Sequence, residues 1–355
     1  MSHFWVVLEV ISGRCKMSRY SSLKLLFLAL PAMMVSTAHA STSYAYVSNI
    51  SGNNVSVVNA STGQVVTLVG VPAGPNGLAV TPDGTAVYVA SQGANSVSVI
   101  ATASNTVTAT IPVGTSPVSV AINPNGSAAY VVNQEANSVS VIGIPGNQLL
   151  ATIPVGTHPV GVAFSRDGSH ACVTNLYSGM VTVIDTATNT VSGSFPTMAG
   201  PASIAVSFTS RRAYVANQYS DSVTVHALPG GEIVATITGF IFPNSIALTQ
   251  NGKYGFVTDG NSGSVSVFST ATNAIIATVP TGSLPTSVAV STDGTEAYVT
   301  NESGFSLSMI NTSTFALTTT VSPVGVYPIA VAAQPPASKP TTSRLGARAA
   351  RERLP

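Results

Sequence analysis

Charge is scarce in this chain. Only 7% of its 355 residues are Asp, Glu, Lys or Arg, too few for the solvated faces of long helices, so a coiled coil or helical bundle is excluded. Cysteine is nearly absent as well: of Cys15 and Cys172, only the second lies beyond residue 40, and a single thiol forms no intramolecular disulfide. The one tryptophan is Trp5, which excludes a repeat built on Trp in every unit. Beyond residue 40 the histidines are His158, His170 and His226, spread over different parts of the repeat described below, which speaks against a three-histidine metal centre. No apolar run reaches the roughly 20 residues that span a bilayer. Abundant instead are Ser, Thr, Gly, Asn and Val, the composition of short strands and tight turns.

The net charge of +1 hides three unequal parts. Residues 41–335 hold four Lys/Arg against ten Asp/Glu, a net charge of −6, whereas residues 1–40 carry +3 and residues 336–355 carry +4. An acidic body has no phosphate-seeking surface, so nucleic acid is not an expected partner. Near the N-terminus Arg19 and Lys24 precede the apolar run Leu25 to Val35, and Ala38-His39-Ala40 follows as a small-x-small cleavage pattern. This reads as a signal peptide over residues 17–40, with residues 1–16 a misassigned start and Met17 the better initiator. The mature protein is therefore expected in the periplasm or outside the cell. Residues 336–355 read as a flexible basic tail after a Pro-rich linker.

Between these ends the chain repeats. An aromatic-apolar pair recurs as Tyr46-Val47, Tyr88-Val89, Tyr130-Val131, Cys172-Val173, Tyr214-Val215, Phe256-Val257 and Tyr298-Val299, every step being 42 residues. Two positions on stand Asn49, Ser91, Asn133, Asn175, Asn217, Asp259 and Asn301, and a proline opens each unit at 75, 117, 159, 201, 243, 285 and 328. Asp83-Gly84, Asn125-Gly126, Asp167-Gly168, Asn251-Gly252 and Asp293-Gly294 supply hairpin turns, because these residues accept positive φ. One unit then reads as four strands, for instance Val118 to Ile122, Ala129 to Val132, Val139 to Ile142 and Leu149 to Val155, with a side-chain period of two. The chain enters at a second strand, Tyr44 to Ser48, and leaves at an orphan first strand, Pro328 to Ala332. Joining them completes a ring without free sheet edges. The fold expected is all-β: a seven-bladed β-propeller of four-stranded antiparallel blades over residues 41–335, closed by N- and C-terminal strands.

The recurring Tyr-Val-x-Asn, the Asp-Gly turn and the Pro-x-x-Val-Ala strand resemble the YVTN β-propeller repeat family over residues 44–333. The resemblance implies the fold. For activity it implies a range, from cell-envelope proteins and binding scaffolds to lactonase-like enzymes and a haem-binding domain, and the scarcity of histidine disfavours the last.

Propeller ligands are expected where the inner strands begin, on loops that vary while the scaffold repeats. Those loops place Gln134, Glu135, His158, Tyr177, Gln218, Tyr219, Phe242, Asp259, Glu302 and Tyr327 on one rim. The first reading is a non-catalytic binding scaffold of the cell envelope, a monomer without cofactor or metal, contacting protein, peptide or glycan through these aromatics. The alternative is a hydrolase or lyase of lactonase-like type at the channel mouth, with His158, Glu135 and Asp259 as acid or base. No phosphate loop, Gly-x-Ser-x-Gly elbow or His-Glu-x-x-His motif is present, although propeller sites assembled from several blades leave no local motif. Each candidate has a plainer reading: His158 as a turn residue, Asp259 as a turn-capping oxygen in the Asn position, and Cys172 as a buried inert thiol.

Overall fold

Each period carries four short alternating stretches separated by residues that tolerate positive φ, and each becomes one antiparallel sheet. The computed structural model describes residues 43–207 and 209–335; the expected leader over 17–40, the start at 1–16 and the tail over 336–355 lie outside the described residues. Seven four-stranded sheets form a seven-bladed β-propeller. Blade 1 is composite: β1 (Tyr44–Asn49), β2 (Asn54–Asn59) and β3 (Gln64–Gly70) come from the N-terminal side, and its innermost strand is β28 (Pro328–Ala333). The closing register pairs Val47 with Val331 and Tyr46 with Ala332, while Tyr46 also pairs with Val57 of β2. Blades 2 to 7 follow in chain order, and their inner strands are β4 (Pro75–Val80), β8 (Pro117–Ile122), β12 (Pro159–Phe164), β16 (Pro201–Val206), β20 (Pro243–Leu248) and β24 (Pro285–Val290). Each packs against the next, and β24 against β28 and β28 against β4 close the circle. Among the described residues no helix is long and apolar enough to cross a membrane.

Proline heads every inner strand because it has no N–H to place in the ladder. Just after it the register slips, for example between Pro117 and Ser119 and between Pro201 and Ser203. A bulge there bends the strand and re-aims its side chains. The second residue after each proline is small: Gly77, Ser119, Gly161, Ser203, Ser245, Ser287 and Ala330. Close approach of neighbouring inner strands requires this. A Cβ on Gly77 would stand 2.6 Å from the Val118 carbonyl oxygen. Two of the serines also stitch blade to blade, Ser203 Oγ accepting from Ile246 N at 3.3 Å and Ser245 Oγ from Val288 N at 3.2 Å.

The hydrophobic core is divided into seven clusters, one at each blade interface. At its centre stands the recurring aromatic of the second strand, with Tyr46, Tyr88, Tyr130, Tyr214 and Tyr298 all buried. Such a tyrosine needs a partner for its hydroxyl. Tyr46, Tyr88 and Tyr130 donate to Asn105, Asn147 and Asn189 at 3.4, 2.6 and 2.5 Å, each partner lying 59 residues on, in the strand 3–4 turn of the next blade. Where the aromatic is Phe256, the position 59 residues on holds Phe315, with ring centroids 6.2 Å apart. The polar latch is replaced by an apolar one of similar size.

His226 is fully buried in blade 5, with Nδ1 2.9 Å from the Gly231 carbonyl and Nε2 2.9 Å from Thr224 Oγ1. A neutral ring satisfies both contacts, Nδ1–H donating and Nε2 accepting. Burial holds its pKa below the ordinary 6.5. The unfolded chain therefore takes up a proton that the folded chain refuses, and stability falls as pH drops through about 6.5 and below. The thermal midpoint is expected to fall between about pH 7.5 and 5.5, and His226→Gln to flatten that dependence; an unchanged slope in the variant would contradict this.

Candidate functional site

The rim is built first from backbone. The residues immediately before the seven strand-one prolines, Gly74, Ser116, His158, Gly200, Phe242, Leu284 and Tyr327, all take left-handed conformation, with φ between 55° and 71°. For the five that carry side chains this costs about 1–2 kcal/mol each, and the following proline disfavours it further. Hydrogen bonds offset the strain. Every one of these carbonyls accepts from the backbone N–H of Ile50, Gln92, Gln134, Leu176, Gln218, Gly260 or Glu302 at 2.7–3.1 Å. Four of their own N–H groups donate to a turn residue of the preceding blade: Gly74 to Asn53, Ser116 to Asn95, His158 to Asn137 and Phe242 to Asp221, at 2.7–2.9 Å. Side chains at this end therefore project from a fixed frame.

The frame surrounds the central channel, whose cavity of about 480 Å³ is lined by the first residues of all seven inner strands together with Gln218, Phe242, Leu284 and Glu302. One arc is polar. Asn76 Nδ2 donates to Gln92 Oε1 at 3.2 Å, and Gln92 Nε2 donates to Ser116 Oγ at 3.0 Å. Across the channel Gln218 Nε2 donates to Asn244 Oδ1, and Asn244 Nδ2 donates to the Pro285 carbonyl at 3.4 Å. Another arc, Val118, Val160 and Ala202, is apolar, and Ile329 stands apart from it between Thr286 and Asn76. Glu302 is half-buried at this mouth, and burial raises its carboxyl above the ordinary 4.5. Among the described residues Arg166, Arg211, Arg212 and Lys253 are the Lys and Arg side chains, and all stand at or beside the strand 1–2 hairpins, the opposite end of the blades. The end that carries Glu302 has Glu135, Asp221 and Asp259 as its other acids.

The predicted site residues fall into separate groups. Gln218, Phe242 and Glu302 line the channel mouth. Glu135, His158 and Tyr177 meet between blades 3 and 4, outside the channel lining: His158 Nδ1 lies 3.8 Å from Glu135 Oε1, and the His158 ring stacks on Tyr177 with centroids 4.1 Å apart and planes 12° from parallel. Gln134 is half-buried beside them, its N–H held by the Ser116 carbonyl. Tyr219 is exposed and faces Phe242 at 6.5 Å, and Tyr327 meets Phe305 edge-on at 5.2 Å. Asp259 is buried beneath the rim and is not brought together with His158 or Glu135. Its Oδ1 accepts from Ile241 N at 3.1 Å and its Oδ2 from Ser266 Oγ at 2.6 Å. At the equivalent asparagines the polarity is reversed, Asn133 Nδ2 donating to Ser140 Oγ at 2.9 Å and Asn301 Nδ2 to Ser308 Oγ at 3.0 Å. Burial raises the Asp259 carboxyl.

Asn76, Gln92 and Asn244 are the site residues that sequence reasoning missed. The available signal was the residue after each strand-one proline, which varies as Asn76, Val118, Val160, Ala202, Asn244, Thr286 and Ile329. Among the described residues no three His, Cys, Asp or Glu side chains come together in an arrangement that could hold a metal ion.

Comparison with known proteins supplies the context. Residues 32–125 match the model of a YNCE-like β-propeller family, and residues 156–274 match that of the seven-bladed β-propeller lactonase family. No curated protein matches the chain. Among solved structures the chain is similar to hydrazine synthase of Kuenenia stuttgartiensis, with a TM-score of 0.69 and 24% identity over 76% of this chain and 92% of the other. It is also similar to a candidate 6-phosphogluconolactonase of Bacteroides uniformis, with a TM-score of 0.70 and 18% identity over 82% and 99%. A protein of unknown function from Desulfotomaculum acetoxidans aligns with a TM-score of 0.73 and 16% identity over 83% and 100%. At these identities the likeness carries the fold.

The fixed frame is testable at one bond. Asn137 itself has φ 51°, so Asn137→Gly keeps its conformation and removes only the acceptor for His158 N–H. A loss of about 1 kcal/mol is expected, with faster hydrogen exchange at the His158 amide. Unchanged exchange there would show that the side chain does not hold the loop.

Proposed function

We propose that the protein hydrolyses an uncharged cyclic ester, a lactone of the sugar class, at the mouth of the central channel, with Glu302 as general base. The carrying observation is Glu302 itself: a half-buried carboxyl at the channel mouth, raised by burial. A carboxylate so raised is a better proton acceptor near neutral pH. In this reading Glu302 takes a proton from water as the water oxygen bonds to the lactone carbonyl. Amide N–H groups of the lining, Gln218 among them, stabilise the oxyanion. Collapse breaks the ring C–O bond, and Glu302 returns the proton to the departing alkoxide, leaving a hydroxy acid. Asn76, Gln92 and Asn244 offer donors and acceptors to hydroxyl groups, and Val118 and Val160 pack against the ring carbons.

Support also comes from the lactonase family match over residues 156–274 and from the names of the candidate 6-phosphogluconolactonases of Bacteroides uniformis and Bacteroides fragilis. A phosphorylated substrate is disfavoured, since no Lys or Arg among the described residues stands at this mouth and phosphate recognition calls for cations or helix N-termini. The channel-mouth enzyme thus takes precedence over the non-catalytic scaffold, and Glu302 over His158, Glu135 and Asp259 as base. In this reading the reaction takes place in the periplasm or outside the cell, an expectation carried by the leader-like pattern of residues 17–40.

One observation favours the scaffold as a second reading: Tyr177, Tyr219 and Tyr327 are 64%, 55% and 40% exposed on the rim, where aromatics suit contact with protein, peptide or glycan. The two are separated by assaying purified protein against a panel of neutral sugar lactones. Glu302→Gln is expected to lower kcat by about 100- to 10,000-fold, with His158→Ala and Glu135→Gln near wild type. Wild-type kcat should rise with pH through an inflection above the ordinary glutamate value. Absence of turnover across the panel, or full activity in Glu302→Gln, would overturn the enzyme reading.

A further inference from the structure

The seven blade interfaces are not equal. Between blades 4 and 5 the two latch positions hold Cys172 and Gly231, where four of the other interfaces hold a tyrosine and an asparagine. Gly231 is required there, having φ 81° and the Phe195 ring within 2.4 Å of where its Cβ would stand. Among the described residues the buried cluster at this interface contains six, against eight to ten at the other six. Beside it lies a cleft of about 980 Å³ on the opposite side of the blades from the channel mouth, within the range of small-molecule sites.

The departures from the repeat coincide at this cleft. Val183, Val206 and Leu228 supply a partly exposed apolar wall over the buried Cys172 and Phe195, and Gly193 stands on the edge strand with nothing within 4 Å of where its Cβ would be. The turn of blade 5 has Thr209-Ser210 where the others have Asp-Gly or Asn-Gly, Arg211 follows it, and Arg166 lines the same cleft. One acid lines it, Asp167, whose carboxylate is held within its own turn by Ser165 Oγ at 2.6 Å and Ser169 Oγ at 2.8 Å. The cleft thus sets a partly exposed apolar wall beside two arginines and one acid.

We propose that this cleft between blades 4 and 5 binds a small organic anion with an apolar body, of the aromatic carboxylate class, its carboxylate at Arg211 and its ring against Val183, Val206 and Leu228. The site is separate from the channel mouth and stands independently of the activity proposed there. A guanidinium pairs with a carboxylate through two parallel hydrogen bonds, and partial desolvation in a cleft strengthens the pair. The apolar wall selects against inorganic anions, and the arginines select against uncharged aromatics.

The test uses the full chain and two matched compounds, 2-naphthoate and 2-naphthalenemethanol, followed by calorimetry and ligand-observed NMR. Naphthoate is expected to bind at least about tenfold more tightly than the alcohol. Arg211→Gln should weaken naphthoate at least about fivefold and leave the alcohol unchanged. Gly193→Leu places a side chain in open space, so it should fold normally and abolish binding of both, with turnover at the channel mouth unaffected. Equal binding of the two compounds, binding of neither, or naphthoate binding indifferent to both substitutions in variants that keep the wild-type unfolding midpoint would overturn the proposal.

Discussion

A four-stranded blade has two apolar faces and can bury them only against two neighbours. In an open row of seven such sheets the first and last would each leave one face in water, together with the unpaired inner edge of β1. The antiparallel pairing of β28 with β1 removes both defects at once. Blade 1 then packs between blades 2 and 7, through the clusters that hold Tyr46 with Leu78 and Val47 with Met309. Closure also defines the channel, since its lining takes residues from every inner strand, Ile329 and Val331 of β28 included.

From closure follows the character of the two ends. Inner strands converge only if the second residue after each proline is small, and the bulge that permits this turns the neighbouring side chain toward the channel. At the mouth the left-handed residues before the prolines are held by their carbonyls all around the ring. A rigid mouth of this kind lets Glu302 keep a half-buried carboxyl with amides nearby. At the other end the strand 1–2 turns carry the arginines and lysine, so anions and neutral polar molecules would be sorted to opposite faces of one body.

Much of this was legible before any coordinates. The constant step, the proline heads and the turn dipeptides placed each strand of the unit at residues 117–154 to within a residue, and the unmatched first and last strands announced closure. Glu135 and His158 were expected at the channel mouth; they meet each other between blades 3 and 4, outside the channel lining. Cys172 was expected to be a buried thiol; it is 2% exposed, and burial pushes its pKa up to about 12. What escaped was most of the side-chain contact between blades. Asn189 looks like an ordinary turn residue, and nothing local says that its side chain answers Tyr130 of the preceding blade. Asn76 and Asn244 lie within strands, where a bulge rather than alternation decides which way they face. The cleft beside Arg211 draws its lining from two blades, and no single stretch of sequence announces it.

Closure is most directly tested by removing β28. A chain ending at Val326 should lose its single cooperative unfolding transition and regain it when a synthetic peptide of residues 327–335 is added. A control chain ending at Pro335 should unfold like the full protein. If the chain ending at Val326 unfolded in one transition at the full-length midpoint without the peptide, the ring would not depend on that strand, and the channel mouth derived from it would have no foundation.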